Sequence, residues 1–423
     1  MVTLPMASGV HLSRLIKIAD GLAVALAVSL PWSTSATSIL LVLWLIALIP
    51  TLAWSDMRRE LTTAVGGLPV LLFLLGAVGM MWADVSWHER LGGLDGFVRL
   101  LLIPLLMAQF RRSDGGRRVF IGFLIACVGV LIASVIVTIW PNLGSGTGGN
   151  VGVPVKSYIL QSAEFTICAA VLLDLAVAKA RQRLWTTSAA LAVLALAFLG
   201  DIFFITTGRT ALVIIPVLAV LYGVRHSGWK GVFGAVALLL VAAGVMWSAS
   251  PYFRERVTST ITETERYEQG NDITSAGLRL DFWSKSIGFI KSAPLFGHGT
   301  GSIADQFRRA AAGQPGVRGA ISANPHNQTF AVGIQLGFLG MAVLWAMWIC
   351  QAIFFWRNGW LAWIGLVVVT TNVIGSLFNS FIFDFTEGWL YVIGVGVAAG
   401  MMQRPPVVAQ REGDAAAAAA AGA

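Results

Sequence analysis

The chain has 423 residues, 57% of them hydrophobic and 12% charged, with a mean hydropathy of +0.77. Soluble globular chains carry about 25% charged residues, so half that fraction leaves too little polar surface to face water all round, and apolar runs of bilayer-spanning length exclude a soluble fold. The net charge of +8 would suit nucleic acid, but the basic residues lie in short loops between apolar runs, the positive-inside pattern of a membrane protein.

Twelve apolar stretches follow in chain order, each near the roughly 20 residues needed to cross a bilayer: Ile16–Trp32, Thr37–Trp54, Ala64–Trp82, Leu91–Phe110, Val119–Trp140, Tyr158–Ala178, Trp185–Thr206, Ala211–Val224, Gly231–Ser248, Phe330–Phe355, Trp360–Leu377 and Gly388–Met402. The basic N-terminus precedes no small-residue cleavage site, so the first stretch reads as an uncleaved helix. Alternate loops hold Arg58 and Arg59, then Arg111, Arg112, Arg117 and Arg118, then Lys179, Arg181 and Arg183, then Arg225 and Lys230, Arg357 and Arg404. The opposite short loops hold little beyond Arg90, Lys156 and Arg209. Both termini are therefore expected in the cytoplasm.

One long polar segment breaks the pattern, and span parity puts it outside. The expected division is membrane helices over 1–248, an outer loop domain over 249–325, membrane helices again over 326–402, and a tail over 403–423 that ends in the low-complexity run Ala415–Ala421. The outer loop carries nine basic and seven acidic residues. Thr258–Glu268 reads as a polar helix. Leu278–Ile290 brings Leu280, Trp283, Ile287 and Ile290 to helical spacing, an amphipathic stretch suited to the membrane surface. The fold class expected is an all-α integral membrane protein.

Three groups suggest chemistry. In Asn324-Pro325-His326-Asn327, Asn suits an N-cap and Pro the first helical position, which puts His326 in the first turn of a membrane helix. There the helix dipole favours neutral imidazole, a general base; the plainer role is to satisfy a helix end. Arg209, in Thr206-Thr207-Gly208-Arg209-Thr210, sits against an apolar run, where a guanidinium needs a partner such as phosphate or must snorkel. Arg279 opens the amphipathic loop helix, and Asp281 is an alternative partner for it. Arg90 and His88, Lys156, and Asp384 with Glu387 face the same side. Gly297-His298-Gly299-Thr300-Gly301 has the look of a nucleotide loop but follows no strand. Cys127, Cys168 and Cys350 lie in apolar runs without metal-ligand spacing and read as inert thiols. Asp20, Glu164, Asp174 and Asp201 are the only acids within or bordering the spans, which disfavours a transporter with a midplane ion site.

The run Arg279-Leu280-Asp281-Phe282-Trp283, then Pro294-Leu295-Phe296-Gly297-His298-Gly299, Pro325-His326-Asn327 and Gly333 to Gly340, with Gly208-Arg209-Thr210 before them, resembles the O-antigen ligase family of the ligase/polymerase superfamily. The motif stretch covers about a quarter of the chain, and the many-span plan with one large outer loop is similar over the rest. The resemblance implies a GT-C-like glycosyltransferase of the bacterial inner membrane, its active site facing the periplasm. It implies transfer of O-antigen from undecaprenyl diphosphate to the lipid A–core oligosaccharide, with no metal or cofactor and no nucleic acid. On it His326, Arg209 and Arg279 are catalytic, and Arg209, Arg279, Asn327, Lys156, Arg90, His298, Asp384 and Glu387 form the substrate-binding set. The reaction is expected to invert, unless folding brings Asp384 or Glu387 beside His326 as a nucleophile. O-antigen polymerases and protein O-oligosaccharyltransferases share the donor chemistry and stay open.

Overall fold

The computed structural model describes residues 9–143, 152–206, 208–270 and 274–405; Thr207 and the Ala-rich tail lie outside the described residues. Sixteen α-helices follow in chain order. The first seven are α1 (Gly9–Ser29), α2 (Thr34–Leu48), α3 (Trp54–Leu61), α4 (Ala64–Gly79), α5 (Trp87–Val98), α6 (Leu102–Arg112) and α7 (Gly116–Ile139). Then come α8 (Tyr158–Arg181), α9 (Trp185–Phe204), α10 (Ala211–Ala249), α11 (Pro251–Gly270), α12 (Ser275–Ser292), α13 (Ile303–Ala311), α14 (Gln328–Phe355), α15 (Trp360–Gly375) and α16 (Phe385–Met402). The described residues contain no strand.

This is an all-α integral membrane protein. Among the described residues eight helical stretches are long and apolar enough to span a bilayer, nine if the bent pair α3–α4 counts as one. The expectation of twelve is thus not met by length and composition, and the reasons are local. Arg14, Lys17 and Asp20 load α1 with charge, α15 has only 16 residues, and α10 joins two expected spans into one. That helix turns back on itself at Gly228, whose φ of 56° and ψ of −139° are non-helical. A Cβ on Gly223 would lie 2.4 Å from the carbonyl oxygen of Gly231, so the two arms touch at glycine.

Helix α16 packs on α6 and α15, α8 on α9, and α14 on α4. Their facing apolar side chains form the main core, with Trp44, Phe97, Phe110, Trp348, Phe355 and Tyr391 nearly inaccessible. The arginine-rich loops meet at the end of the bundle away from His326. There Arg111 pairs with fully buried Glu60 at 2.7 Å and also reaches the Gln403 backbone, Arg112 meets the Thr51 carbonyl at 2.6 Å, and Arg225 reaches the 357–359 turn.

The long polar segment is helical too, and Thr258–Glu268 lies within α11 as expected. The face of α12 differs from the expected stripe. Gly277, Asp281, Phe282, Ser286 and Ile290 are buried, while Ile287 is 44% exposed. Phe282 and Ile290 pack with Phe307, Ile303, Ala331 and Ile334 in a core of their own. Asp281 pairs with Lys285 one turn on, at 2.7 Å, and not with Arg279.

Helix α14 is broken at Gly337 (φ 62°), and the turn after α12 fills the break. Backbone N–H groups of His298 and Gly299 donate to the carbonyls of Ile334 and Gln335 at 2.8 and 2.9 Å, while those of Phe338 and Leu339 donate to Pro294 and Leu295 at 2.7 and 3.3 Å. A Cβ on Gly337 or Gly297 would lie 2.5 Å from opposing backbone atoms. These glycines permit close backbone approach, and the backbone groups freed by the break are satisfied across it.

Candidate active site

His326 lies at the mouth of the membrane bundle but not in a helix. Asn327 is the N-cap of α14, its side chain accepting from the Phe330 N–H at 3.1 Å; Asn324 and Pro325 precede the helix instead of opening it. The cap falls three residues later than expected, at Asn327, because Asn324 is occupied elsewhere. His326 takes a left-handed φ of 53°, a costly conformation for a residue with a Cβ. It is held from both sides: its N–H donates to Asn324 Oδ1 at 2.8 Å, and its carbonyl accepts from Trp283 Nε1 at 3.3 Å.

Those bonds determine which ring nitrogen carries the proton. A backbone N–H only donates, so the Asn324 atom it meets is oxygen, which also accepts from Ser380 Oγ at 2.7 Å. The Asn324 amide nitrogen then donates to Asn379 at 3.2 Å, which makes the accepting atom Asn379 Oδ1. That same oxygen lies 2.9 Å from His326 Nδ1, so Nδ1 carries hydrogen and Nε2 keeps its lone pair. Burial lowers the imidazole pKa below its ordinary value, the bond to Asn379 opposes this, and nearby Arg279 adds to the lowering. The direction matches the sequence expectation, but its cause is burial and a neighbouring cation rather than a helix dipole.

Arg279, Phe282 and Trp283 share one face of α12 by their i, i+3 and i, i+4 spacing. Phe282 stacks on the His326 ring at 6.1 Å between centroids, so that face is turned toward the histidine. Arg279 is half-buried and has no hydrogen bond or ion pair among the described residues. Burial lowers its pKa, Tyr158 opposes, Arg209 adds to the lowering and Glu263 opposes again. A guanidinium stays charged throughout.

Arg209 projects from the α9–α10 turn. That turn is tied down by Asp201, 2% exposed, whose carboxylate is reached by Ser134, Gln161 and Thr206. Ser162 Oγ accepts from the Gly208 N–H at 3.2 Å, and a Cβ on Gly208 would sit 2.5 Å from that hydroxyl. The Arg209 fork meets Glu263 of α11 at 2.6 and 3.1 Å, with Ser259 Oγ at 3.4 Å. That pairing raises the Arg209 pKa.

The rest of the expected substrate-binding set is engaged elsewhere. Arg90 donates to the Val85 and Met80 carbonyls at 3.0 Å and closes the end of α4. His88 is exposed. His298 Nε2 meets the Phe289 carbonyl at 2.9 Å and Ser292 Oγ at 3.1 Å, and Gly299 and Gly301 on either side of Thr300 approach the backbone of Ala83 and Glu89; the glycine run is a packing device. Lys156 reaches the Leu30 carbonyl and Thr386 Oγ1, with its pKa lowered by burial. Asn327 is used by its cap. Glu387, in the first turn of α16, has Lys156 and Arg99 as its charged neighbours. The neighbours of Asp384 are Glu387 and Arg99, and burial together with Glu387 raises its carboxyl to about 7. Neither acid bonds His326.

Sequence reading missed Asn379, Ser380, Phe282 and Glu263 as site residues. Asn379 lies more than fifty positions from His326, in a loop whose only charge is Asp384, and gives no local signal. Glu263 is one of several acids in a polar helix, and only folding distinguishes it.

The described residues thus gather a polarised imidazole and two guanidiniums where the apolar bundle meets the polar helices α11 and α12, an arrangement suited to deprotonating a hydroxyl beside an anionic leaving group. No curated protein matches the chain. The family model described as O-antigen ligase matches residues 193–345, the stretch that holds Arg209, Glu263, Arg279 and His326, and over that stretch the chain is similar to the O-antigen ligase/polymerase superfamily.

Proposed function

We propose that the protein is an O-antigen ligase of the bacterial inner membrane. It transfers polysaccharide from undecaprenyl diphosphate to the lipid A–core oligosaccharide at the periplasmic face, with both termini in the cytoplasm. What carries this reading is the His326 Nε2 lone pair, left free by the bond from Nδ1 to Asn379, on the same side of α12 as Arg279. The family match supports lipid-linked glycan chemistry.

In the proposed single displacement, an acceptor hydroxyl loses its proton to His326 Nε2 while its oxygen bonds the anomeric carbon. The bond from that carbon to the diphosphate oxygen breaks, and the leaving diphosphate takes the electron pair. Arg279 and Arg209 stabilise the charge that grows there, commonly the largest catalytic contribution. Asp384 and Glu387 have Arg99 and Lys156 as charged neighbours and neither bonds His326, which favours direct displacement with inversion over a carboxylate nucleophile.

The test is complementation of a deletion strain. His326→Ala, at normal protein level, is expected to cut ligation by about 10²–10⁴-fold, the range for a general base. Lipopolysaccharide on a gel would then be bare core, with polymer stranded on its carrier. Core bearing a single repeat would instead identify a polymerase, and full ligation by the variant would remove His326 as the base.

A further inference from the structure

Arg209 already holds an anion, and the anion belongs to the protein. Glu263 meets the guanidinium with both oxygens, at 2.6 and 3.1 Å. The oxygen at the longer distance also accepts from the Ala276 N–H at 3.2 Å, in the first turn of α12. Arg279 lies one position short of a full turn further along the same helix, so its Cβ is about 5–6 Å from that of Ala276. A carboxylate bound by a guanidinium fork and a free helix N–H, with a second guanidinium nearby, is held as a phosphoryl group would be.

We infer that the Glu263 carboxylate occupies the seat of one phosphoryl group of the lipid diphosphate, and that donor binding and product release are an exchange between the two. This deepens the lipid-diphosphate reading of the site and rests on it. The charges favour the exchange. Two guanidiniums balance a diphosphate diester, which carries one negative charge on each phosphoryl group, only if Glu263 withdraws; with Glu263 still seated the site has excess negative charge. After transfer the leaving diphosphate has gained an ionisable oxygen, and the returning carboxylate competes with it for Arg209. Glu263 therefore keeps Arg209 oriented and neutralised between turnovers and helps to expel the product. Ser259, 3.4 Å from the same guanidinium, and Thr274, whose hydroxyl bonds the Glu263 carbonyl at 3.3 Å, hold the segment while the carboxylate turns away.

The experiment is calorimetric titration of inorganic diphosphate into the full-length protein in nanodiscs, for wild type, Glu263→Gln and Glu263→Ala. Removing the competing charge is expected to lower the Kd by roughly tenfold in both variants, the scale of one charge-assisted pair. In the transfer reaction the same variants should show a lower KM for donor and stronger inhibition by undecaprenyl diphosphate, so kcat falls as KM falls. A Kd unchanged or raised in the variants overturns the inference, because a merely structural Glu263 would weaken anion binding when removed. Either variant decides the matter if the other fails to fold. The titration involves no transfer, so diphosphate affinity that rises without any ligation activity would count against the enzyme assignment and leave the exchange standing.

Discussion

His326 and Arg279 face the same aromatic pair on α12, yet their surroundings restrain them differently. The histidine is fixed at every polar group but Nε2: Asn324 bonds its N–H, Trp283 its carbonyl, Asn379 its Nδ1, and Ser380 steadies Asn324. Around the arginines the contacts are few and exchangeable. Arg209 is held by a carboxylate about a fifth exposed, and Arg279 by packing. A base must present one tautomer in one direction, so its neighbours serve to fix it. A group that receives a charged ligand must be able to trade its partner, and a fully satisfied guanidinium would have none to trade.

The sharpest way to break this comparison is at Arg279. If it acts by charge and fork geometry, Arg279→Ala should lower kcat/KM by about 10²–10³-fold, as loss of one leaving-group donor does, and Arg279→Lys should recover little because ammonium lacks the bidentate fork. Single-turnover transfer with purified donor measures both. Full rescue by lysine would show that charge alone suffices.

Asn379 offers a smaller and more diagnostic change. Asn379→Leu removes the acceptor for Nδ1–H and should cost roughly tenfold in kcat/KM. The free base must be neutral, and its pKa lies below the ordinary histidine value of 6.5, so wild-type activity should fall only as the pH drops through a midpoint below 6.5 and stay level above it. Asn379→Asp keeps an acceptor but adds negative charge, which favours imidazolium. It should retain more activity than the leucine variant and move the acid limb to higher pH. A pH profile indifferent to this substitution would mean that Asn379 does not act through the histidine.

The smallest effects test the frame. Gly337→Ala puts a Cβ 2.5 Å from the Leu295 backbone at a φ of 62° and should destabilise by about 1–3 kcal/mol. Gly228→Ala, in the α10 turn, has the same sign of φ but open space around it, so about 1 kcal/mol is expected. Thermal midpoints of the detergent-solubilised protein rank the two, and only the first should also reduce transfer.

Much of the fold was legible because lipid imposes one requirement on long stretches: all twelve apolar runs are helical, and the polar run Arg225–Lys230 marked the turn at Gly228. Arg209, Arg279 and His326 stand out in the sequence by motif, and the fold makes Arg279 a charged neighbour of both others. What could not be read was which polar group each residue would meet. Asn324 and Asn327 are equally good caps in isolation, and only Asn379 and Ser380, more than fifty residues on, engage the first and leave the cap to the second. Lys156, Arg90 and His298 look available in sequence because the carbonyls that bind them, such as Leu30 and Phe289, are invisible there. The buried face of α12 could not be read for a related reason. The helix buries Asp281, which hydropathy alone assigns to water, because Lys285 lies one turn away.

The seam at the break in α14 also constrains how this chain can vary in length. Arg279 is tied to His326 by α12 and by the four backbone bonds that follow it, so the number of residues from Arg279 to Pro294 is set by geometry. One residue more in that interval would rotate Arg279 about 100° around the helix axis relative to the seam. The stretch from Ala312 to Ala323 lies beyond the seam, between two anchored points, and its length is free of that constraint. Insertions between Arg279 and Pro294 would displace the arginine, whereas those between Ala312 and Ala323 would leave it in place.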